Sequence, residues 1–67
     1  MFNLKKFEAM LLNHNRTKQD VADYLGITLT SLYRRLENDG NFKAKEIRLL
    51  INVFSKEEVL NCFFYYE

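Results

Sequence analysis

The side chains best suited to catalysis or metal binding are scarce in this chain, which holds one histidine, His14, and one cysteine, Cys62. A lone cysteine cannot form an internal disulfide, and these two residues cannot complete a tetrahedral zinc site. The chain also lacks a glycine-rich phosphate loop, so no credible catalytic set remains. The sequence therefore predicts a protein that is not an enzyme, needs no cofactor or metal, and works in a reducing cytosol.

The basic residues are the other candidates for chemistry, because they can bind a polyanion. The net charge is only +1, which argues weakly for such a partner. Its distribution is uneven: residues 1–36 carry six Lys and Arg against three Asp and Glu, whereas residues 37–67 carry four against six. A basic surface would therefore be formed mainly by the first half of the chain.

The elements that must position these side chains are predicted to be helices. Proline is absent, and glycine occurs only at Gly26 and Gly40, both where a helix should end. Apolar residues make up 48% of the chain and charged residues 28%, as in a soluble globular domain. We expect one all-α domain over residues 1–67, with no stretch near the roughly 20 apolar residues of a membrane span.

Apolar spacing and cap residues together predict five short helices. The first three are expected at about Leu4 to Leu12, Lys18 to Leu25, and Leu29 to about Glu37, capped by Asn3, Thr17 and Thr28. The fourth follows Phe42 and lacks a capping side chain, and the last begins after Ser55. The predicted inward faces are Leu4, Phe7, Met10 and Leu11; Val21, Ala22 and Leu25; Leu32 and Leu36; Ile47, Leu50, Ile51 and Phe54; and Val59, Leu60, Phe63 and Phe64.

The second and third helices form a predicted helix-turn-helix over about residues 17–37. A three-residue turn joins them, in which Gly26 would take a positive φ to end the first helix. Ala22 must be small because the two helices cross near it. Such a unit presents its second helix on a rigid scaffold to a groove wide enough to accept it, the major groove of DNA.

The run from Thr17 to Thr28, TKQDVADYLGIT, resembles the helix-turn-helix of the Cro and phage-repressor type, also called the XRE family. The resemblance covers nearly the whole chain and extends to small phage-encoded regulators of Gram-positive hosts. Its further positions are Leu32, Leu36, Glu37, Asn38, Phe42, Glu46, Ile47, Leu50, Phe54, Ser55, Glu58, Phe63 and Phe64. It implies a compact five-helix, lambda-repressor-like fold and a transcriptional regulator that reads double-stranded operator DNA with its third helix.

Carried over residue by residue, the resemblance implies that the cap and first two turns of the third helix face DNA. These positions are Thr28, Leu29, Thr30, Ser31, Tyr33 and Arg34. Lys18 corresponds to a position that meets the phosphate backbone. Arg34 is the best candidate for a bidentate bond to guanine, Thr30 and Ser31 suit either base or phosphate, and Leu29 could pack on a thymine methyl group.

Structural alternatives compete at several of these positions. Leu29 and Tyr33 share one helical stripe with Leu32 and Leu36, so periodicity alone would place Leu29 in the core and Tyr33 at its edge. Arg34 and Arg35 could belong to a merely solvated face. Arg35 departs from the family pattern, which often has an apolar residue there, and its target is open.

Lys43 stands where relatives more often have Ser or Thr as the cap of the fourth helix. Together with Lys45 it places positive charge at the positive end of the helix dipole, at a cost of a few tenths of a kcal/mol. A DNA phosphate beside Lys43 would offset this cost, and a tolerated exposed lysine explains it equally well. Lys43 therefore joins the candidate DNA-binding residues.

The chain ends in a dense aromatic segment of Phe63, Phe64, Tyr65 and Tyr66. These residues could complete the core, or they could form the seam of a homodimer, since many relatives bind pseudo-palindromic sites as dimers. A rival function uses the same aromatic end. In it the scaffold no longer binds DNA and is a protein-interaction module that engages a partner regulator, which the low net charge slightly favours.

Overall fold

A computed structural model describes residues 1–63, which are helical throughout apart from short connections. The helices are α1 (Leu4–Asn13), α2 (Lys18–Leu25), α3 (Leu29–Glu37), α4 (Ala44–Val53) and α5 (Lys56–Phe63). No strand occurs within the described residues, and the predicted all-α, five-helix fold is confirmed. Three residues of the predicted aromatic segment, Phe64, Tyr65 and Tyr66, lie outside the described part of the chain.

Four helices are preceded by a cap residue, whose side-chain oxygen accepts a hydrogen bond from the backbone N–H three residues further on. These caps are Asn3, Thr17, Thr28 and Ser55, as the sequence predicts. At α2 the Asp20 carboxylate in turn accepts a hydrogen bond from the backbone N–H of Thr17 at 2.9 Å, and the two reciprocal bonds form a capping box. The backbone N–H and the hydroxyl of Thr17 lower the pKa of Asp20.

The core draws residues from all five helices and from the loop before α4. Its buried apolar members are Phe7, Met10, Leu11, Val21, Ala22, Leu25, Leu32, Leu36, Phe42, Leu50, Val59 and Cys62. The prediction that Leu4 faces inward is wrong, because Leu4 is 41% exposed. A side chain in a first turn leans towards the helix N-terminus, so Leu4 projects past the end of α1 rather than over the core.

The side chains of Cys62 and His14 both make contacts within the folded domain. The Cys62 thiol is buried and lies 3.3 Å from the carbonyl oxygen of Glu58, and burial raises its pKa to about 11. His14 Nε2 lies 3.0 and 3.2 Å from the two carboxylate oxygens of Glu58 and joins the end of α1 to α5. The bonds from His14 and Ser55 lower the pKa of the Glu58 carboxyl.

The N-terminal segment closes one side of the core. The Phe2 ring lies 5.8 Å from Phe7, 6.4 Å from Phe42 and 5.1 Å from Phe63, measured between ring centroids. The Phe2 N–H donates to the side chain of Asp39 at 3.1 Å. Because Phe2 contacts both the loop after α3 and the end of α5, this segment ties the two ends of the chain together.

The two glycines offer a matched test of that packing. Both have positive φ, +71° at Gly26 and +68° at Gly40, but a Cβ on Gly26 would meet open space whereas one on Gly40 would collide with the Phe2 ring. Gly26→Ala should lower the free energy of unfolding only by the cost of placing alanine in the left-handed conformation, roughly 1 to 2 kcal/mol. Gly40→Ala should cost a further 1 to 3 kcal/mol or so from overpacking.

Urea denaturation of the two variants and the parent chain measures the difference. Equal losses of unfolding free energy in the two variants would contradict the packing of Phe2 over Gly40.

Candidate nucleic-acid interface

The helix-turn-helix is held rigidly from its inner side. Gly26 ends α2 in the left-handed conformation, with φ 71° and ψ 31°. The Ile27 N–H then donates to the carbonyl oxygen of Ala22 at 3.0 Å, which fixes the turn against α2. Ala22 and Leu32 are fully buried where α2 and α3 pack together. The left-handed turn predicted at Gly26 is confirmed.

The outer side of α3 is polar and accessible. Thr28, Thr30, Tyr33 and Arg34 are exposed, and Ser31 is half-buried. Within residues 1–63 the Arg34 guanidinium has no hydrogen-bond or ion-pair partner, so all its donors are open to a ligand. α3 thus presents an unpaired guanidinium beside hydroxyl groups, the side-chain types that bond to base edges and phosphates.

Two hydroxyls on this side are already coupled to one another. The Thr28 hydroxyl accepts from the Ser31 N–H at 3.1 Å and donates to the Ser31 hydroxyl oxygen at 3.0 Å. This leaves the hydroxyl proton of Ser31 as the donor that can point outwards. Thr30 has no such partner among the described residues and is the freer of the threonines.

Leu29 occupies an intermediate position. It is half-buried and packs against the core cluster, following the stripe that it shares with Leu32 and Leu36. One part of its side chain is accessible at the α3 surface, and the other part packs on the core, as the helical periodicity predicts.

Tyr33 and Lys18 meet beside α3. The Lys18 ammonium lies 5.7 Å from the centroid of the Tyr33 ring, and it donates to the Glu8 carboxylate at 2.8 Å. Tyr33 is 44% exposed and leans towards the start of α2. Glu8 was not among the predicted site residues, because nothing in the spacing of α1 shows which residue of α2 it will face.

Lys43 lies at the opposite edge of α3. It is exposed at the start of α4 and provides no side-chain cap, and its backbone N–H donates to Glu46 at 2.9 Å. Lys43 shares one shallow depression with Arg34 and with the amide side chains of Asn38 and Asn41. Neither asparagine was among the predicted site residues, although side-chain amides can donate hydrogen bonds to phosphates.

The sequence does not identify the partner of the Arg35 side chain, which in the structure is a buried carboxylate. Arg35 Nε and Nη2 donate to the two oxygens of Glu46 at 2.8 and 3.0 Å, and Glu46 is only 2% exposed. Burial by itself raises the pKa of Glu46, but the hydrogen bonds from Arg35 and Lys43 together with their charges outweigh it, and the net pKa is lowered. Arg35 is therefore no part of a solvated face.

The left-handed Gly26 joins α2 to α3, which buries one side in the core and exposes a polar side. This arrangement is a helix-turn-helix. Residues 4–38, just over half of the chain, match the family described as "Bacterial regulatory protein, Fis family". The protein is a DNA-binding helix-turn-helix transcription regulator. The chain belongs to the Fis family of bacterial regulatory proteins.

No curated protein and no solved structure matches this chain. Within residues 1–63, none of the helices has the length and hydrophobicity that a membrane span needs. The same part of the chain holds no group of three His, Cys, Asp or Glu side chains arranged to bind a metal ion.

The Glu8 contact predicts a measurable restraint on Lys18. Glu8→Gln removes the negative charge that holds the Lys18 ammonium and leaves only a neutral amide oxygen as acceptor. The ammonium is then more available to a phosphate, so binding to any duplex should strengthen. If one phosphate contact is added, the slope of log K against log salt should steepen by about 0.9. Titration of a fluorescent duplex between low and moderate salt measures both quantities.

Glu57→Gln on α5 is the matched control, since it makes the same change in charge at an exposed residue without a partner among residues 1–63. Identical slopes for the two variants would mean that Glu8 does not restrain Lys18.

Proposed function

We propose that the protein is a sequence-specific regulator of the Cro or repressor kind, which reads double-stranded operator DNA in the major groove with α3. The observation that carries this proposal is the guanidinium of Arg34, which has no partner among residues 1–63 and lies on the exposed side of a helix whose other side is buried in the core. The resemblance of the chain to Cro and phage repressors supports the finer assignment. A phage-encoded origin, one domain over residues 1–67 and a place in the bacterial cytoplasm belong to the same proposal.

The groups on and beside α3 divide the work between bases and backbone. Arg34 and Thr30 are free to bond with base edges, and the accessible part of Leu29 is suited to a thymine methyl group. Lys18 and Lys43 flank the helix on opposite sides, which suits contacts to phosphates on either edge of the groove. The remaining candidates, Thr28, Ser31 and Tyr33, lie between these two sets.

Helix electrostatics support the choice of α3. The first turn of α2 contains Asp20 and that of α4 contains Glu46, each of which offsets the positive end of its helix dipole. The first turn of α3 contains no acidic residue, a feature that it shares with α1 among the described helices. Its free backbone amides therefore keep a positive potential where an anionic duplex would approach.

Homodimerisation through the aromatic end is the part of the proposal with the least structural support. Phe63 is half-buried, and its ring centroid lies 5.1 Å from that of Phe2 and 5.9 Å from that of Phe42, as expected for a core residue. A seam would therefore have to rely on Phe64, Tyr65 and Tyr66. If the protein dimerises with two-fold symmetry, its operator should be a pseudo-palindrome with half-sites about 34 Å apart.

Selection of bound duplexes from a random pool, followed by sequencing, tests the proposal. We expect a defined consensus. Failure to bind any duplex at low salt would instead favour the protein-interaction module.

Replacement of Arg34 tests how that consensus is read. Arg34→Ala should weaken binding to the selected duplex by about 1 to 3 kcal/mol and relax the preference at one base pair. Arg48→Ala, at an exposed residue of α4, removes the same charge and should leave the base preference intact. Competition titrations with singly substituted duplexes measure the preference, and an unchanged profile in the Arg34 variant would refute its role.

A further inference from the structure

The Arg35 and Glu46 pair is the most buried ion pair among residues 1–63. The Glu46 carboxylate accepts two bonds from the Arg35 guanidinium and one from the Lys43 N–H. Arg35 also donates from Nη1 to the carbonyl oxygen of Ser31, one turn earlier in α3, at 3.3 Å. The pair therefore joins the second turn of α3 directly to the first turn of α4.

The backbone of Arg35 holds the connecting loop as well. Its carbonyl oxygen accepts from the N–H groups of Gly40 and Asn41 at 2.9 and 3.2 Å. α3 packs mainly on α2, while α4 packs mainly on α5 and α2, so contacts between α3 and α4 themselves are sparse. Arg35 thus holds the loop through its backbone and the start of α4 through its side chain.

The groups on either side of this pair are the proposed DNA contacts. Arg34 precedes Arg35 in α3, and Lys43 is the N-terminal cap residue of α4. Both side chains line the same depression. The distance between a base-reading group and a phosphate-contacting group therefore depends on the geometry of the buried pair.

We propose that Arg35 and Glu46 are positioning residues for DNA recognition, which hold α3 and the start of α4 at the spacing that lets Arg34 reach a base while Lys43 meets a phosphate. This inference rests on the proposed function. It explains an arginine at a position where an apolar residue would pack more simply. Buried ion pairs are often no more stabilising than apolar replacements, so a role in orientation is a reason to retain one.

The test compares binding to the selected duplex with binding to a scrambled duplex of equal length. The ratio of the two affinities, the discrimination ratio, is measured at a temperature where circular dichroism shows each variant folded. Glu46→Gln should lower this ratio about tenfold, which is within the value of one bidentate base contact. Arg35→Lys keeps the charge but loses the two-pronged geometry, and its ratio should fall between those of Glu46→Gln and the parent.

Two further variants separate orientation from stability. Glu58→Gln removes the negative charge from the His14 and Glu58 pair, which also joins two helices but lies away from α3. Its ratio should stay within about twofold of the parent, the scatter expected between independent sites. Arg35→Met combined with Glu46→Leu replaces the pair by apolar side chains, which should preserve folding. Its ratio should nevertheless fall like that of Glu46→Gln.

The outcomes are distinct. If the parent protein discriminates but the Arg35 and Glu46 variants lose affinity for both duplexes equally, or lose none, the positioning role is overturned and the proposed function stands. If the parent protein does not discriminate between the duplexes, the proposed function fails and this inference fails with it.

Discussion

The structure depends on α3 burying one side in the core while it exposes the other side to solvent. A nine-residue helix is too short to be stable alone in water, so α3 exists because Leu32 and Leu36 are buried against the core. The same burial fixes which side chains remain outside. Thr30 and Arg34 stay exposed because they lie on the other side of the helix. Stability and presentation of the polar surface are therefore one property of α3.

Charge is arranged locally in this protein rather than in bulk. The net charge of +1 is the sum of ten basic and nine acidic residues, and two of the basic residues are paired, since Glu8 holds Lys18 and Glu46 holds Arg35. Pairing leaves Arg34 and Lys43 as exposed cations on one depression beside α3. A weakly charged chain can thus present a basic reading surface, with less attraction to DNA of arbitrary sequence than an unpaired set of cations would give.

Local sequence signals predicted much of the fold. The bounds of α2 and α3, the caps and the left-handed Gly26 depend on interactions within a few residues, which spacing and residue type reveal. The contacts that were missed join residues ten or more positions apart: Lys18 with Glu8, and Arg35 with Glu46. Periodicity along one helix shows that a side chain faces inward or outward, but it does not identify the partner on another helix.

The functional class could also be predicted from sequence, because the helix-turn-helix requires a small residue at the crossing and a glycine at the turn. The match of residues 4–38 establishes the Fis family of bacterial regulators. The resemblance to Cro and phage repressors rests on residues beyond that range as well, in α4 and α5, and remains a proposal. Operator sequence depends on the fit of individual side chains to base edges, which no pattern in a single sequence encodes.

Titration of the isotope-labelled protein with its selected duplex, followed by backbone amide NMR, tests the central claim most directly. If α3 binds DNA, the largest shift changes will fall on Thr28 to Arg34, with smaller ones at the first turns of α2 and α4. Changes concentrated on α5 and the N-terminal segment, with α3 unaffected, would contradict it.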